Sequence, residues 1–233
     1  MGLLDRRYLL AAVAVLLVGC SDTGTGPEED TNPEPTPEYP LDGFVTVAPG
    51  VDLHYLDFGG EGNPILLLAG LGNTANVFRG LTPLLTDHHR VLALTRCGFG
   101  RSSQPSTGYD PATLAGDVAA VLDDLGIQKA DLVGHSIAGE EMSRFAVDYP
   151  ERLDRLVYLD AAYDRTLPSD PLTAAWATPP APDAADVADR AAFQAYLTGV
   201  IGVQFPLEEV AATTVVAANG AVLGYVTDPS INQ

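Results

Sequence analysis

Hydrophobic positions along this 233-residue chain fall into three patterns, and each predicts a different kind of element. Gly43 to Val47 and Val51 to Phe58 alternate apolar and polar residues around Pro49-Gly50, the pattern of an antiparallel hairpin with one exposed face. Ile65-Leu66-Leu67-Leu68-Ala69 and Val91-Leu92-Ala93-Leu94 are apolar throughout, as strands covered on both faces of a parallel sheet should be. Ala130-Asp131-Leu132-Val133 and Leu156-Val157-Tyr158-Leu159 supply two further strands. Between them, apolar residues recur at helical spacing. Val77, Phe78, Leu81, Leu84 and Leu85 form one set. Leu114, Val118, Val121, Leu122 and Leu125 form another, opened by Asp110 as N-cap with Pro111 in the first turn and closed by Gly126. A third helix runs from the end of the Ala130–Val133 strand to about Tyr149, before Pro150. Strand and helix alternate, which predicts a doubly wound, mostly parallel α/β sheet over residues 41–162.

Beyond Ala161 the pattern changes. Residues 168–185 are rich in Pro, Ala and Asp, and Arg190 to Val200 reads as one short helix. Thr213 to Ala218 and Ala221 to Val226 flank Asn219-Gly220, a strong hairpin signal. A hairpin is the wrong unit for parallel strands joined by a helix, so residues 163–233 are expected to form a partial cap.

Before residue 41 the chain is not built like a domain. Arg6 and Arg7 precede an apolar run, Tyr8 to Val18, of about 11 residues, short of the roughly 20 that a spanning helix needs. Residues 1–19 therefore read as a signal peptide. Leu17-Val18-Gly19-Cys20 resembles a bacterial lipobox, which implies lipidation of Cys20 and an exported protein held at a membrane of the bacterial envelope. Residues 20–40 turn to Asp, Glu, Thr, Gly and repeated Pro, too few apolar groups to offset ordering entropy, and read as an acidic tether. The formal charge of -19, with one lysine and eleven arginines, leaves no basic surface for a phosphate backbone. Nucleic acid is thereby set aside as a partner.

Chemistry concentrates at Val133-Gly134-His135-Ser136-Ile137-Ala138-Gly139. A serine hydroxyl attacks carbonyls only when held in the open beside a base, and a sharp strand-to-helix turn lifts it to the C-terminal rim of the sheet. Gly134 and Ala138, two before and two after the serine, are small, as their mutual approach across the turn requires. The strict pattern is G-x-S-x-G; here alanine takes the last place and Gly139 follows.

Three motifs in order, Leu68-Ala69-Gly70-Leu71-Gly72-Asn73, the loop Arg96 to Ser103, and Gly134 to Gly139, resemble the α/β-hydrolases over about residues 42–162. The resemblance implies Ser136 as nucleophile and the amides of Leu71 and Ile137 as the oxyanion hole, with the Asn73 side chain a further donor or a cap of its own loop. It implies an ester, thioester, lactone or amide substrate and no metal or other cofactor. Dehalogenases and epoxide hydrolases among such proteins carry aspartate where Ser136 stands. Some place the acid after the sixth strand, which makes Asp160 a candidate; a loop or cap carboxylate is the competing account, and Asp164 lies nearby.

The base is the difficulty. The four histidines are His54, His88, His89 and His135. His54 lies in the opening hairpin, His88 and His89 precede a strand and so belong to the opposite rim, and His135 adjoins the serine on a turn where consecutive side chains diverge. Family order is serine, acid, histidine, the last two after the seventh and eighth strands, and neither strand is recognisable by Gln233. The expectation is a truncated hydrolase whose sheet lacks its final two strands, with Ser136 deprived of its base. A non-catalytic, lipid-anchored protein that binds an apolar ligand or a partner chain stands as the second reading. Cys97 reads as small buried filler, since only Arg96 and Arg101 are near enough in sequence to activate a thiol.

Overall fold

The computed structural model describes residues 38–161 and 180–226. Cys20, the signal segment, most of the tether and Asp164 lie outside them. Among the described residues no helix is long and apolar enough to cross a membrane.

Six strands form the main sheet: β1 (Leu41–Ala48), β2 (Val51–Asp57), β3 (Ile65–Leu68), β4 (Val91–Leu94), β5 (Ala130–Ser136) and β6 (Leu153–Ala161). Their order across the sheet is β1-β2-β4-β3-β5-β6. The β1–β2 and β2–β4 pairs are antiparallel, while β4, β3, β5 and β6 run parallel. This is the mostly parallel sheet that the uniform apolar runs predict.

Strand period sorts the core into two faces. Leu66, Leu68, Leu92 and Leu94 pack with Leu114, Val118, Leu122, Met142 and Phe145. Those partners belong to α1 (Pro111–Asp124) and α2 (Ala138–Asp148). Ile65, Leu67, Val91 and Ala93 face the other way, against Ala75 and Phe78. Asp110 caps α1 as expected, its carboxylate accepting from the amides of Ala112 and Thr113, both at 3.1 Å.

One expected helix takes a different form. Residues 77–85 have helical spacing, yet they fold as two 3₁₀ turns, Ala75–Gly80 and Thr82–Leu84. Gly80 weakens the first turn, and Pro83 has no N–H with which to continue an α-helix into it.

Residues 180–226 carry α3 (Arg190–Ile201), α4 (Leu207–Thr213) and an antiparallel pair, β7 (Thr214–Val216) and β8 (Val222–Tyr225). Phe193, Val210 and Val222 form a small core of their own. The hairpin falls where Asn219-Gly220 predicts it. Helix α4 is an addition, since its seven residues run directly into β-branched β7 and leave no helical period to recognise.

Candidate active site

The order of the strands chooses the location. From β3 the chain moves to β4 on one side, then crosses back to β5 on the other, so β3 and β5 are parallel neighbours, with Leu68 opposite Gly134. The loops leaving their C-terminal ends diverge and open a crevice, the switch point where α/β sheets take ligands. Gly70 to Thr74 leaves β3 here, and Ser136 ends β5.

Ser136 has a φ of 54°. A left-handed backbone at a non-glycine residue typically costs about 1–3 kcal/mol and clusters at functional sites. Two close approaches enforce the turn. A Cβ on Gly134 would stand 2.1 Å from Met142 Sδ and 2.9 Å from Ala138 Cβ, so α2 can start beside β5 only over a glycine. A Cβ on Gly70 would stand 2.6 Å from His135 Nδ1 and 3.3 Å from Ser136 Cβ, so the β3 loop lies directly against the serine.

Ile137 is the N-cap residue of α2, and no side chain caps that end. Among the described residues no acceptor meets the amide of Ile137 or of Leu71. The helix dipole adds to their attraction for negative charge. The Asn73 side chain is engaged: its Nδ2 donates to Glu209 Oε1 on α4 at 3.1 Å. Its partner is therefore a cap carboxylate rather than its own loop backbone.

Asp160 is brought beside the serine. His135 pairs with Leu159 and Ser136 with Ala161, so Asp160 is the extra residue of a bulge in β6, with a φ of 45°. One strand spacing, roughly 4.8 Å, separates the two backbones there. Its residue is exposed.

None of the four histidines joins them. His54 lies on β2, with β4 and β3 between it and β5, three spacings or roughly 14 Å away. It is 2% exposed, with Nδ1 2.9 Å from Thr95 Oγ1, and burial pushes its pKa down. His88 and His89 precede β4 at the opposite rim, where His89 Nδ1 is 3.1 Å from the Asn63 carbonyl oxygen. The exposed His135 packs over Gly70, and among the described residues no hydrogen bond joins its imidazole to Ser136.

Behind the elbow lies a buried polar cluster that the sequence does not announce. Arg96 at the end of β4 donates from Nε and Nη2 to the two carboxylate oxygens of Glu141 on α2, both at 2.8 Å. Asp117 on α1 faces Glu141, Arg96 and Cys97 across a cavity of about 10 Å³. Burial, then the charges of Glu141 and Asp110, push the Asp117 carboxyl up to about 7. Burial and the Asp117 charge push the Cys97 thiol up to about 11, so it stays protonated at neutral pH and acts as filler.

Asp117 makes stability depend on pH. The folded chain keeps a proton that the unfolded chain releases near 4, so the contribution is complete below that value and is lost as pH rises through about 7. The melting temperature is expected to fall between pH 5 and pH 8. Asp117→Asn should flatten that segment and raise the value at pH 8; an unaltered slope in calorimetry would exclude Asp117 as its source.

A cavity of about 350 Å³ adjoins the β3 loop, lined chiefly by Leu71, Phe99, Leu197, Phe205, Val210 and Tyr225, with Asn73 and Glu209 as polar members. Among the described residues no group of three or more His, Cys, Asp or Glu side chains could hold a metal ion.

A parallel switch-point sheet, a strained serine between strand and helix and a glycine loop against it define the α/β-hydrolase fold. The family model for that fold matches residues 63–209, and the chain belongs to this family. The non-heme chloroperoxidase of Streptomyces lividans is 36% identical over 131 residues, 55% of this chain and 48% of that protein. The 2-hydroxy-6-oxo-2,4-heptadienoate hydrolase of Pseudomonas putida is 32% identical over 142 residues, 59% of this chain and 51% of its own length. The soluble epoxide hydrolase of Corynebacterium sp. is 34% identical over 111 residues, 48% of this chain and 38% of its own. The chain thus spans about half the length of the curated relatives it matches. The crystal structure of E-2-(acetamidomethylene)succinate hydrolase has a TM-score of 0.66 at 22% identity, covering 83% of this chain and 70% of that one, a likeness of fold alone. Cfl2 from Burkholderia cenocepacia has a TM-score of 0.52 at 33% identity over 58% of this chain and 51% of its own.

Proposed function

We propose that Ser136 is the nucleophile of a hydrolase acting on an ester-like carbonyl, and that turnover is impaired in this chain because no histidine reaches the hydroxyl. The left-handed Ser136 backbone at the switch point, against the Gly70 loop, carries this reading. The serine oxygen would attack the carbonyl carbon of an ester, thioester, lactone or amide. The amides of Ile137 and Leu71 would receive the oxyanion, and its collapse to an acyl-serine would expel the protonated leaving group. Water would then attack the acyl carbon, break its bond to Ser136 Oγ, release the acid and return the proton to the serine. The apolar lining of the neighbouring cavity suits an apolar acyl or alcohol portion. Both half-reactions need a proton carrier at Ser136 Oγ. Asp160 can orient such a group without being one. Likeness to an epoxide hydrolase does not extend to that chemistry, since serine stands at position 136.

The test is covalent labelling with a fluorophosphonate at pH 9, where hydroxide substitutes for the missing base. One adduct on the peptide containing Ser136, lost in Ser136→Ala, is expected; an adduct elsewhere, or none on folded protein, removes Ser136 as nucleophile.

The absence of a base within reach also favours the second reading, a binding or interaction protein. Among the described residues β6 is the outermost strand of the sheet, and Val157, Tyr158 and Leu159 lie exposed on it, a surface another chain could cover. No labelling and no ester turnover by a folded sample would decide for it.

The lipobox-like Leu17 to Cys20 supports a lipid anchor on an exported protein. Cys20→Ala is expected to move the protein from membrane to soluble fractions, and unchanged partition would exclude the anchor.

A further inference from the structure

Glu209 is 2% exposed, although it sits on a helix of only seven residues. A carboxylate at that depth must be hydrogen-bonded. Its donors among the described residues come from one loop and the 3₁₀ turn that follows it, where the Val77 backbone also bears on the carboxylate. Oε1 accepts from the Thr74 amide at 2.8 Å and from Asn73 Nδ2 at 3.1 Å, and Oε2 accepts from the Thr74 hydroxyl. Thr74 in turn caps the first 3₁₀ turn, its Oγ1 accepting from the Asn76 amide at 3.3 Å. Within the loop itself the one backbone bond is from the Asn73 amide to the Gly70 carbonyl, at 3.1 Å. Leu71 lies between Gly70 and Gly72 with half of its surface exposed, so little else of its own fixes its amide. Strand β3 holds one end of this segment, and a carboxylate from residues 180–226 holds the other.

We propose that Glu209 is a positioning residue, which clamps Asn73 and Thr74 so that the Leu71 amide stays in register with Ser136. The proposal rests on the reading of Leu71 as an oxyanion donor. It makes the cap part of the catalytic geometry, because α4 shares its core with Phe193 and Val222. A ligand filling the adjoining cavity touches the clamp directly, since Leu71, Asn73 and Glu209 all line it.

Two measurements on the full chain separate the clamp from the chemistry. Amide exchange of the peptide covering residues 70–77 is expected to quicken about ten- to a hundredfold in Glu209→Ala, as loss of a charge-assisted bond implies. Exchange in β3 and β4 should not change, and Glu209→Gln, which keeps an acceptor for the Thr74 amide, should recover most of the protection. Fluorophosphonate labelling of Ser136 at pH 9 should lose about tenfold in rate at saturating probe, with the half-saturating concentration unchanged. If Glu209→Ala does not fold, Asn73→Ala, which removes the Nδ2 donor to Glu209 Oε1 and leaves the Thr74 cap intact, is expected to show the same local quickening. Unchanged exchange at 70–77 in whichever variant folds overturns the clamp. Quickened exchange with unaltered Ser136 labelling overturns its link to the site. Wild-type protein that never labels removes the nucleophile assignment, and the exchange result still decides whether Glu209 holds the loop.

Discussion

Hydrolysis of a p-nitrophenyl ester by this chain is expected to run about a millionfold below that of a serine hydrolase with its triad complete, and Ser136→Ala is expected to alter what remains by less than about threefold. Triad members act as a unit. Once the base is out of reach, removing the serine takes away little more, and the residue of activity, roughly a thousandfold over water, comes from oxyanion stabilisation and binding. His54 is held three strands away and His88 and His89 at the far rim, so none of these three can substitute by a side-chain rotation, and the His135 ring lies over Gly70 with no hydrogen bond to Ser136 among the described residues. Comparison of the two initial rates checks this. A rate that falls a hundredfold or more in Ser136→Ala would mean that a base serves the hydroxyl after all.

Glu141→Ala is expected to destabilise the fold by about 3–5 kcal/mol, because it leaves the Arg96 guanidinium buried without its counter-charge. Arg96 is 7% and Glu141 3% exposed, so water does not screen the loss. Domains of this kind have about 5–15 kcal/mol in total, and much of that margin would go. The pair also ties the end of β4 to α2, the helix that opens behind Ser136. Urea midpoints measure the effect. Replacing both partners together by leucine and methionine should recover most of the loss, whereas equal destabilisation by the single and double variants would show that the ion pair itself, and not the orphaned charge, was what mattered.

Much of the frame was legible because it is written locally. Unbroken apolar runs at Ile65–Leu68 and Val91–Leu94, too short for a helix of ordinary length, suit strands covered on both faces, and that is what they form. Asp110-Pro111 marks a helix start by its own hydrogen-bonding chemistry, and the small residues around Ser136 mark the elbow by the space that a turn needs. What escaped depends on partners distant along the chain. Arg96 and Glu141 are ordinary charges within their own segments and become a pair only when β4 and α2 are brought together. Glu209 looks like a solvated residue near Pro206 until Thr74, 135 residues earlier, supplies its donors. Asp160 could be named from its place at a strand end, but the bulge that sets it opposite the elbow depends on register, which a single sequence does not display. At Val77 to Leu85 the apolar spacing predicts a helix, and Gly80 and Pro83 break it into two 3₁₀ turns instead.

The central claim, a nucleophile in position without a base, is tested most directly by the pH dependence of Ser136 labelling by a fluorophosphonate. With hydroxide as the only base, the rate should rise about tenfold per pH unit from pH 6 to 9 with no plateau, since an unperturbed imidazole would level it off above about 6.5. A rate that reaches a plateau near neutral pH and depends on Ser136 would contradict the account, because it would place a working base beside the serine.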